Sequence, residues 1–413
     1  LLDGEWRDLD VSTVKLKLKL WGFLPWSVSR EVLRSAHGPA LRTDHGVYAI
    51  RYAGIDEMKQ VEQWLAMNKA KNFEEWQAAM ALNHIQSFNF VYANRHGDIH
   101  FIHNAQLPVR APGWNWQQYL PGDRSDLIWN AYYPTDALPQ VTNPPSGFIH
   151  SANQTPFNVT SAAHNPLKTD APADGGWQTR MTNRATRGLE LFEEFGQISD
   201  EEVWALKHDN DYSPNYRGMA FFKRVTGLST TTETQAQAIA VLKTWDRSTD
   251  KDNRGAALGV CVLAAEWQAE SGGNNNPEPA DVLDDCIDQT LEIGGQLDPK
   301  WGEVNRHGRG GTLWPVAGGP DTLRAIYSRR LDGDDYLTAV AGDGLYYIIR
   351  WMPSGEQRVL GTHQYGNDMT NADSSHYLDQ AEDYANEVLH EPLYTNESRQ
   401  GRIERRYRVS SKL

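Results

Sequence analysis

Between residues 14 and 20 lysine alternates with leucine, a period of two that predicts a half-exposed strand. Apolar positions over 32–36 and 46–53 predict two more strands. The pattern then shifts to helical spacing over 56–69 and 73–84, and the second helix opens on Glu74 and Glu75, the charge that suits a helix N-terminus. Residues 87–93 and 99–103 are apolar and aromatic around Asn94-Arg-His-Gly-Asp98, which predicts a hairpin. Periodicity fades over 108–145, a segment rich in Pro, Gly and Trp, and a long ordered loop over a site is expected there.

Asn143-Pro144-Pro145 forces extended backbone, because proline fixes its own φ and restricts its predecessor. Gly147 allows a sharp entry, so 148–152 reads as a short, mostly buried strand that ends at Asn153. An amide at that end either caps a turn or donates a hydrogen bond to a developing oxyanion, and spacing alone leaves both readings open. Helices are predicted over 180–195, 233–245, 256–269, 279–293 and 377–388, and strands over 337–341, 345–351, 358–363 and 402–409. Strands, then helices, then strands describe an α+β chain: a first core part over 1–199, a helical insertion over 200–300, and returning strands over 301–413.

Composition narrows the function. The 413 residues carry 40 basic against 54 acidic side chains, a net charge of −14, which disfavours nucleic acid and anionic membrane surfaces as partners. No apolar run is long enough to span a membrane. Fifteen tryptophans suit either a large apolar pocket or a large core. Cys261 and Cys286 are too few for a disulfide scaffold or a Cys-rich zinc site, and they read equally as one bridge between helices or as two buried thiols. His100 and His103 differ in strand parity and would face opposite sides, which disfavours a shared metal. No glycine-rich nucleotide loop, His-Glu-x-x-His or Gly-x-Ser-x-Gly occurs, so local motifs supply no nucleophile.

A series of segments does carry a resemblance. Ala49-Ile-Arg-Tyr-Ala-Gly-Ile-Asp56, Phe90-Val-Tyr-Ala-Asn-Arg-His-Gly-Asp98, Pro108-Val-Arg110, Pro144-Pro-Ser-Gly-Phe-Ile-His-Ser-Ala-Asn-Gln-Thr-Pro156 and Asn183-Arg-Ala-Thr-Arg187 stand in the order found in the penicillin-acylase family's β-subunit. Gly318-Gly-Pro-Asp-Thr-Leu-Arg324, Ala341-Gly-Asp-Gly344, His363-Gln-Tyr-Gly366 and Ser375-His-Tyr-Leu-Asp-Gln380 continue it, and look most like the branch of aculeacin-type and acyl-homoserine-lactone acylases. The match thins over 200–300. It implies a four-layer αββα N-terminal-nucleophile hydrolase sandwich. In that family a precursor cuts itself, a freed N-terminal serine attacks an amide, and its own α-amine acts as base.

Carried onto this chain, the resemblance makes Asn153 the side-chain oxyanion donor and Arg184 an organiser of the site. Trp114, Trp116 and Trp129 are candidates for an acyl-binding surface. Leu1 has no nucleophilic atom, so the expectation is the later part of a β-subunit, completed by an α-subunit and by the β-subunit's own beginning. The expected substrate is a small acylated amide such as an acyl-homoserine lactone or lipopeptide. Rival readings are a penicillin or cephalosporin acylase, or a catalytically dead binding relative. The family admits calcium, and Asp170 and Asp174 lie in the right neighbourhood, but no metal or other cofactor is assigned to them. Family members are exported, so a periplasmic or secreted location is expected.

Overall fold

The computed structural model describes residues 1–55 and 57–403, which fall into two compact units. The first holds Leu1–Ser151 and Thr155–Thr179, and the second holds Ala152–Gln154 and Arg180 onward. The division thus falls near residue 180 and keeps the helical stretch and the returning strands together, unlike the three-part division drawn from the sequence.

In the first unit, β1 (Asp10–Leu20), β2 (Leu24–Ser35), β3 (Gly38–Thr43) and β4 (Gly46–Ala49) form an antiparallel sheet in chain order. The alternation over 14–20 does make a strand, but not a half-exposed one: every residue of β1 is exposed. Leu16 and Leu18, opposite Val28 and Trp26, stand in an apolar face that nothing among the described residues covers. Helices α1 (Gln60–Lys69) and α2 (Phe73–Met80) follow, and the Asn72 side chain caps α2 by accepting from Glu75 N at 2.8 Å. Strands β5 (Ser87–Ala93) and β6 (Ile99–Ala105) make the expected hairpin, and β7 (Gln140–Thr142) adds to its open edge. Trp76, Met80 and Ile102 form its core.

The expected strand over 148–152 is absent. Asn143, Gly147 and Asn153 all have positive φ, and the segment's backbone pairing is His150 N to Val159 O at 2.7 Å. An apolar run without a neighbouring strand has no ladder to join, so it stays an irregular, largely buried segment.

The second unit begins with α3 (Asn183–Phe195), shorter than the predicted helix because Thr182 caps it, accepting from Ala185 N at 3.2 Å. Helices α4 (Asp200–Lys207) and α5 (Met219–Thr226) precede the expected α6 (Glu233–Thr244), α7 (Ala256–Ser271) and α8 (Pro279–Gly294). Phe221, Leu242, Leu258, Val262, Leu283 and Ile287 fill the core that α5–α8 enclose. A short α9 (Trp301–Val304) leads into β8 (Asn305–Arg309), β9 (Thr312–Pro315), β10 (Ile326–Arg330) and β11 (Leu337–Gly342), a sheet of order β10-β11-β8-β9. Strands β12 (Leu345–Trp351) and β13 (Gln357–His363) pair as a hairpin. The helix expected over 377–388 shrinks to α10 (Ala381–Ala385), because 374–378 turn and Glu387 takes a positive φ; α11 (Asn396–Arg399) follows. The strand expected over 402–409 lies mostly outside the described residues.

Cys261 and Cys286 are bridged, joining α7 to α8 with Cα atoms 5.7 Å apart across 25 residues. Closing a loop of that length removes about 3 kcal/mol of chain entropy from the unfolded state. Replacing both cysteines by alanine is therefore expected to lower the unfolding free energy by about that amount, read as a lower urea midpoint. A midpoint unchanged by the double replacement would contradict the clamp.

His100 and His103 face opposite sides of β6, as parity requires. Their Nδ1 atoms lie 2.7 Å from Thr142 Oγ1 and 2.7 Å from Asn89 Oδ1 respectively. Burial pushes both imidazoles down from 6.5 to about 4. Both are neutral in the folded unit while the unfolded chain binds protons below pH 6.5. Their contribution is thus complete above that pH and is lost as pH falls toward 4. Thermal melts between pH 7 and 4.5 should show this loss, with a shallower slope in His100→Gln; an acid-insensitive melting temperature would contradict it.

Candidate active site

The site grows from the first turn of α3. Once Thr182 has capped the helix, Asn183 points inward and Arg184 outward. Asn183 is fully buried, with every side-chain polar atom engaged. Its Nδ2 donates to Asp321 O (2.9 Å) and Asp211 O (3.2 Å), and its Oδ1 accepts from Ser213 N (2.8 Å). Its backbone N–H donates to Asp321 Oδ2 at 2.7 Å. The other oxygen of that carboxylate, Oδ1, accepts from Arg184 Nε at 3.2 Å. Asp321 therefore lies against a helix N-terminus and a guanidinium together, the two environments that stabilise an anion.

Burial pushes the Asp321 carboxyl up from its ordinary value, while the Asn183 N–H and the Arg184 charge pull it back. At 3% exposure, an ionised Asp321 needs these donors, because an unpaired buried charge is costly.

Arg184 extends the chain of contacts. Its Nη2 donates to Asn153 Oδ1 at 3.2 Å. Asn153 is exposed and holds a left-handed φ of 64°, a conformation asparagine tolerates better than most residues. The turn is steadied next door, where Gln154 Oε1 accepts from Ala152 N at 2.5 Å. A guanidinium only donates, so the amide oxygen must face Arg184, and the amide nitrogen points the other way. Among the described residues nothing accepts from that nitrogen.

Asp321 is itself held by the loop over 318–324. Gly318 has φ 93°, and a Cβ there would sit 2.2 Å from Arg324 O. Thr322 Oγ1 accepts from Gly319 N (3.0 Å) and lies 2.7 Å from Arg324 O, while Tyr212 Oη donates to Pro320 O at 2.5 Å. At the loop's end the buried Arg324 guanidinium lies against the stacked rings of Tyr346 and Tyr384, 4.3 and 4.4 Å from their centroids.

The structure thus brings Asn153 and Arg184 into contact and adds Asp321 and Asn183, which sequence reasoning missed. Both stand within quoted motifs, but nothing local announces a partner: Asp321 meets Arg184 across 137 positions. The tryptophans are not gathered in one place. Trp116 and Trp129 pack 5.7 Å apart in the first unit, with the Arg110 guanidinium 5.7 and 5.8 Å from their ring centres. Trp114 instead meets Arg124 at 5.3 Å. Asp174 accepts from Tyr133 Oη (3.2 Å) and Asp170 from Thr169 Oγ1 (3.2 Å). Among the described residues no three His, Cys, Asp or Glu side chains are grouped to hold a metal.

Asp321→Asn tests the arrangement directly. It keeps the shape but removes the charge opposite Arg184, so a crystal structure or side-chain NMR should show the Asn153 amide losing its fixed orientation. An Asn153 side chain ordered as before would contradict the linkage.

Known proteins resemble this chain along its length. Acyl-homoserine lactone acylase PvdQ of Pseudomonas savastanoi pv. phaseolicola is 21% identical over 452 aligned positions, which cover 96% of this chain and 57% of that protein. Penicillin G acylase of Escherichia coli is 26% identical over 223 positions, covering 52% of this chain and 25% of that protein. The chain therefore spans between a quarter and just over half of the curated relatives it matches. A thermostable penicillin G acylase from Alcaligenes faecalis superimposes with a TM-score of 0.59 at 15% identity, over 99% of this chain and 83% of that one. That likeness is one of fold, the α+β fold of the N-terminal-nucleophile hydrolases. The sequence profile of the penicillin amidases matches residues 1–401, and the chain belongs to the penicillin amidase family.

Proposed function

We propose that these residues form the later part of the β-subunit of an acylase. It hydrolyses the amide between an acyl chain and an amine-bearing head group, as in acyl-homoserine lactones or lipopeptides. The nucleophile, an N-terminal serine freed by self-cleavage, comes from polypeptide outside this chain, together with an α-subunit. One observation supports the need for companions: the exposed apolar face of β1–β2, which nothing among the described residues covers. In the assembled enzyme that face should pack against another segment, and a cooperative, monomeric unfolding transition of this chain alone would argue against it. The Cys261–Cys286 bridge supports an exported, oxidising location.

The observation that carries the catalytic reading is the Arg184 Nη2 to Asn153 Oδ1 hydrogen bond. By holding the oxygen, Arg184 leaves the amide nitrogen to donate. Serine attack on an amide creates a tetrahedral oxyanion, and a donor fixed before the reaction stabilises that charge without reorganising. Arg184 and Asp321 act as positioning residues, keeping the amide aimed. Trp116 and Trp129 are the proposed acyl contacts, with Trp114 set apart on Arg124; Trp116→Ala should raise KM for a long-chain amide more than for an acetyl amide.

Asn153→Ala in correctly processed enzyme should lower kcat by roughly a hundred- to a thousandfold, or about 3 to 4 kcal/mol, and change KM little. A turn-capping role predicts the opposite pattern: about 1 kcal/mol of lost stability with kcat per folded molecule unchanged. Thermal stability and kcat measured on the same sample separate the two, and near-normal kcat would remove Asn153 from the chemistry.

A further inference from the structure

The second unit contains a cavity of about 720 Å³ between α7 and α8 on one side and β10 and β11 on the other. Its size lies within the range of ligand pockets, roughly 300 to 1,000 Å³. The space exists because α7 turns a stripe of small residues toward it. Ala257, Cys261 and Ala264 fall at helical spacing and leave the room that larger side chains would fill. The walls are also held apart. Trp267 of α7 packs on Tyr327 of β10 with ring centres 5.5 Å apart, and Arg330 of β10 pairs with Glu292 of α8. The disulfide fixes α7 to α8, so neither helix can slide in to close the gap. Opposite them, Ile326, Leu337 and Val340 supply apolar surface to the other wall, which also carries Ser328, Arg329 and Arg330.

One polar group in this lining stands out. Arg329 lines the cavity and is exposed, and among the described residues its side chain has neither an ion pair nor a hydrogen bond, whereas its neighbour Arg330 is neutralised by Glu292. Asp285 and Glu292 also line the cavity, and with Glu292 paired to Arg330, Arg329 is the lining cation left to meet an anion. An apolar chamber with a free guanidinium suits an anionic amphiphile: the chain is buried and the carboxylate meets a charge that needs no new partner elsewhere. We infer that this cavity binds a medium-chain carboxylate, with its alkyl chain between α7 and β10–β11 and its head group on Arg329. Asn153 and Arg184 do not line it, so the site is separate from the proposed catalytic amide and does not rest on that reading.

Titration calorimetry of the assembled enzyme with hexanoate, octanoate, decanoate and 1-octanol tests this. Each buried methylene should tighten binding about fourfold until the cavity is full. Arg329→Gln should weaken octanoate about tenfold or more and leave 1-octanol unchanged, because only the carboxylate uses the charge. Ala264→Phe, checked for native circular dichroism and melting, should abolish both. Trp116→Ala should bind octanoate like the parent, which separates this site from the proposed acyl contacts of the catalytic one; a parallel loss there would overturn the inference. A flat length series, equal loss of acid and alcohol in Arg329→Gln, or unaltered binding in Ala264→Phe would each overturn the inference. So would the absence of saturable binding, the result expected if another polypeptide segment fills the cavity in the assembly.

Discussion

The Asp321 carboxylate accepts from the backbone of Asn183 through one oxygen and from Arg184 through the other. A buried anion must be paired, and this pairing fixes the start of α3, the direction of a guanidinium, and through it the exposed amide of Asn153. None of the three would be defined alone. An exposed asparagine on a turn samples several rotamers, and an arginine at a helix start has long, flexible reach. Coupled to a carboxylate that cannot move, both become ordered.

Immobility comes from the 318–324 loop. Its entry at Gly318, where a Cβ has no room, its internal Thr322 bridge and the Arg324 guanidinium against two tyrosine rings tie it into the second unit. Trp301 Nε1 donates to Gly318 O at 2.8 Å, joining the loop to the start of the β8–β11 sheet. Asn153, Arg184 and Asp321 all belong to this unit, so the proposed site rests on one body with its own core. Rigid support of this kind keeps a donor within the few tenths of an ångström that oxyanion stabilisation demands.

Much of this was legible in the sequence, for reasons that differ by region. The β5–β6 hairpin announced itself through a polar Asn94–Asp98 turn between apolar runs, and α6–α8 through long helical periodicity. Asn153 and Arg184 were reachable because they sit in segments whose order resembles a known family. The α4 helix was missed although Ser199 and Glu202 form a capping box, a signal present in the sequence but not weighed. Strands β8 and β9 were hidden by Gly308, Gly310 and Gly311, which weaken any strand pattern. The 148–152 segment misled because an apolar run says that it is buried, not what it pairs with. The Asp321 contact with Arg184 was invisible, since it joins positions far apart in sequence.

The central claim is that Arg184 holds the oxygen of the Asn153 amide so that its nitrogen faces the reacting carbonyl. The most direct measurement is a crystal structure of the complete, processed enzyme bound to a tetrahedral boronate or phosphonate analogue. The account predicts Asn153 Nδ2 about 2.7 to 3.1 Å from the analogue's oxyanion position, with Arg184 still on Oδ1. An analogue bound at the nucleophile with Asn153 Nδ2 turned away, or with Arg184 released from the amide, would contradict it.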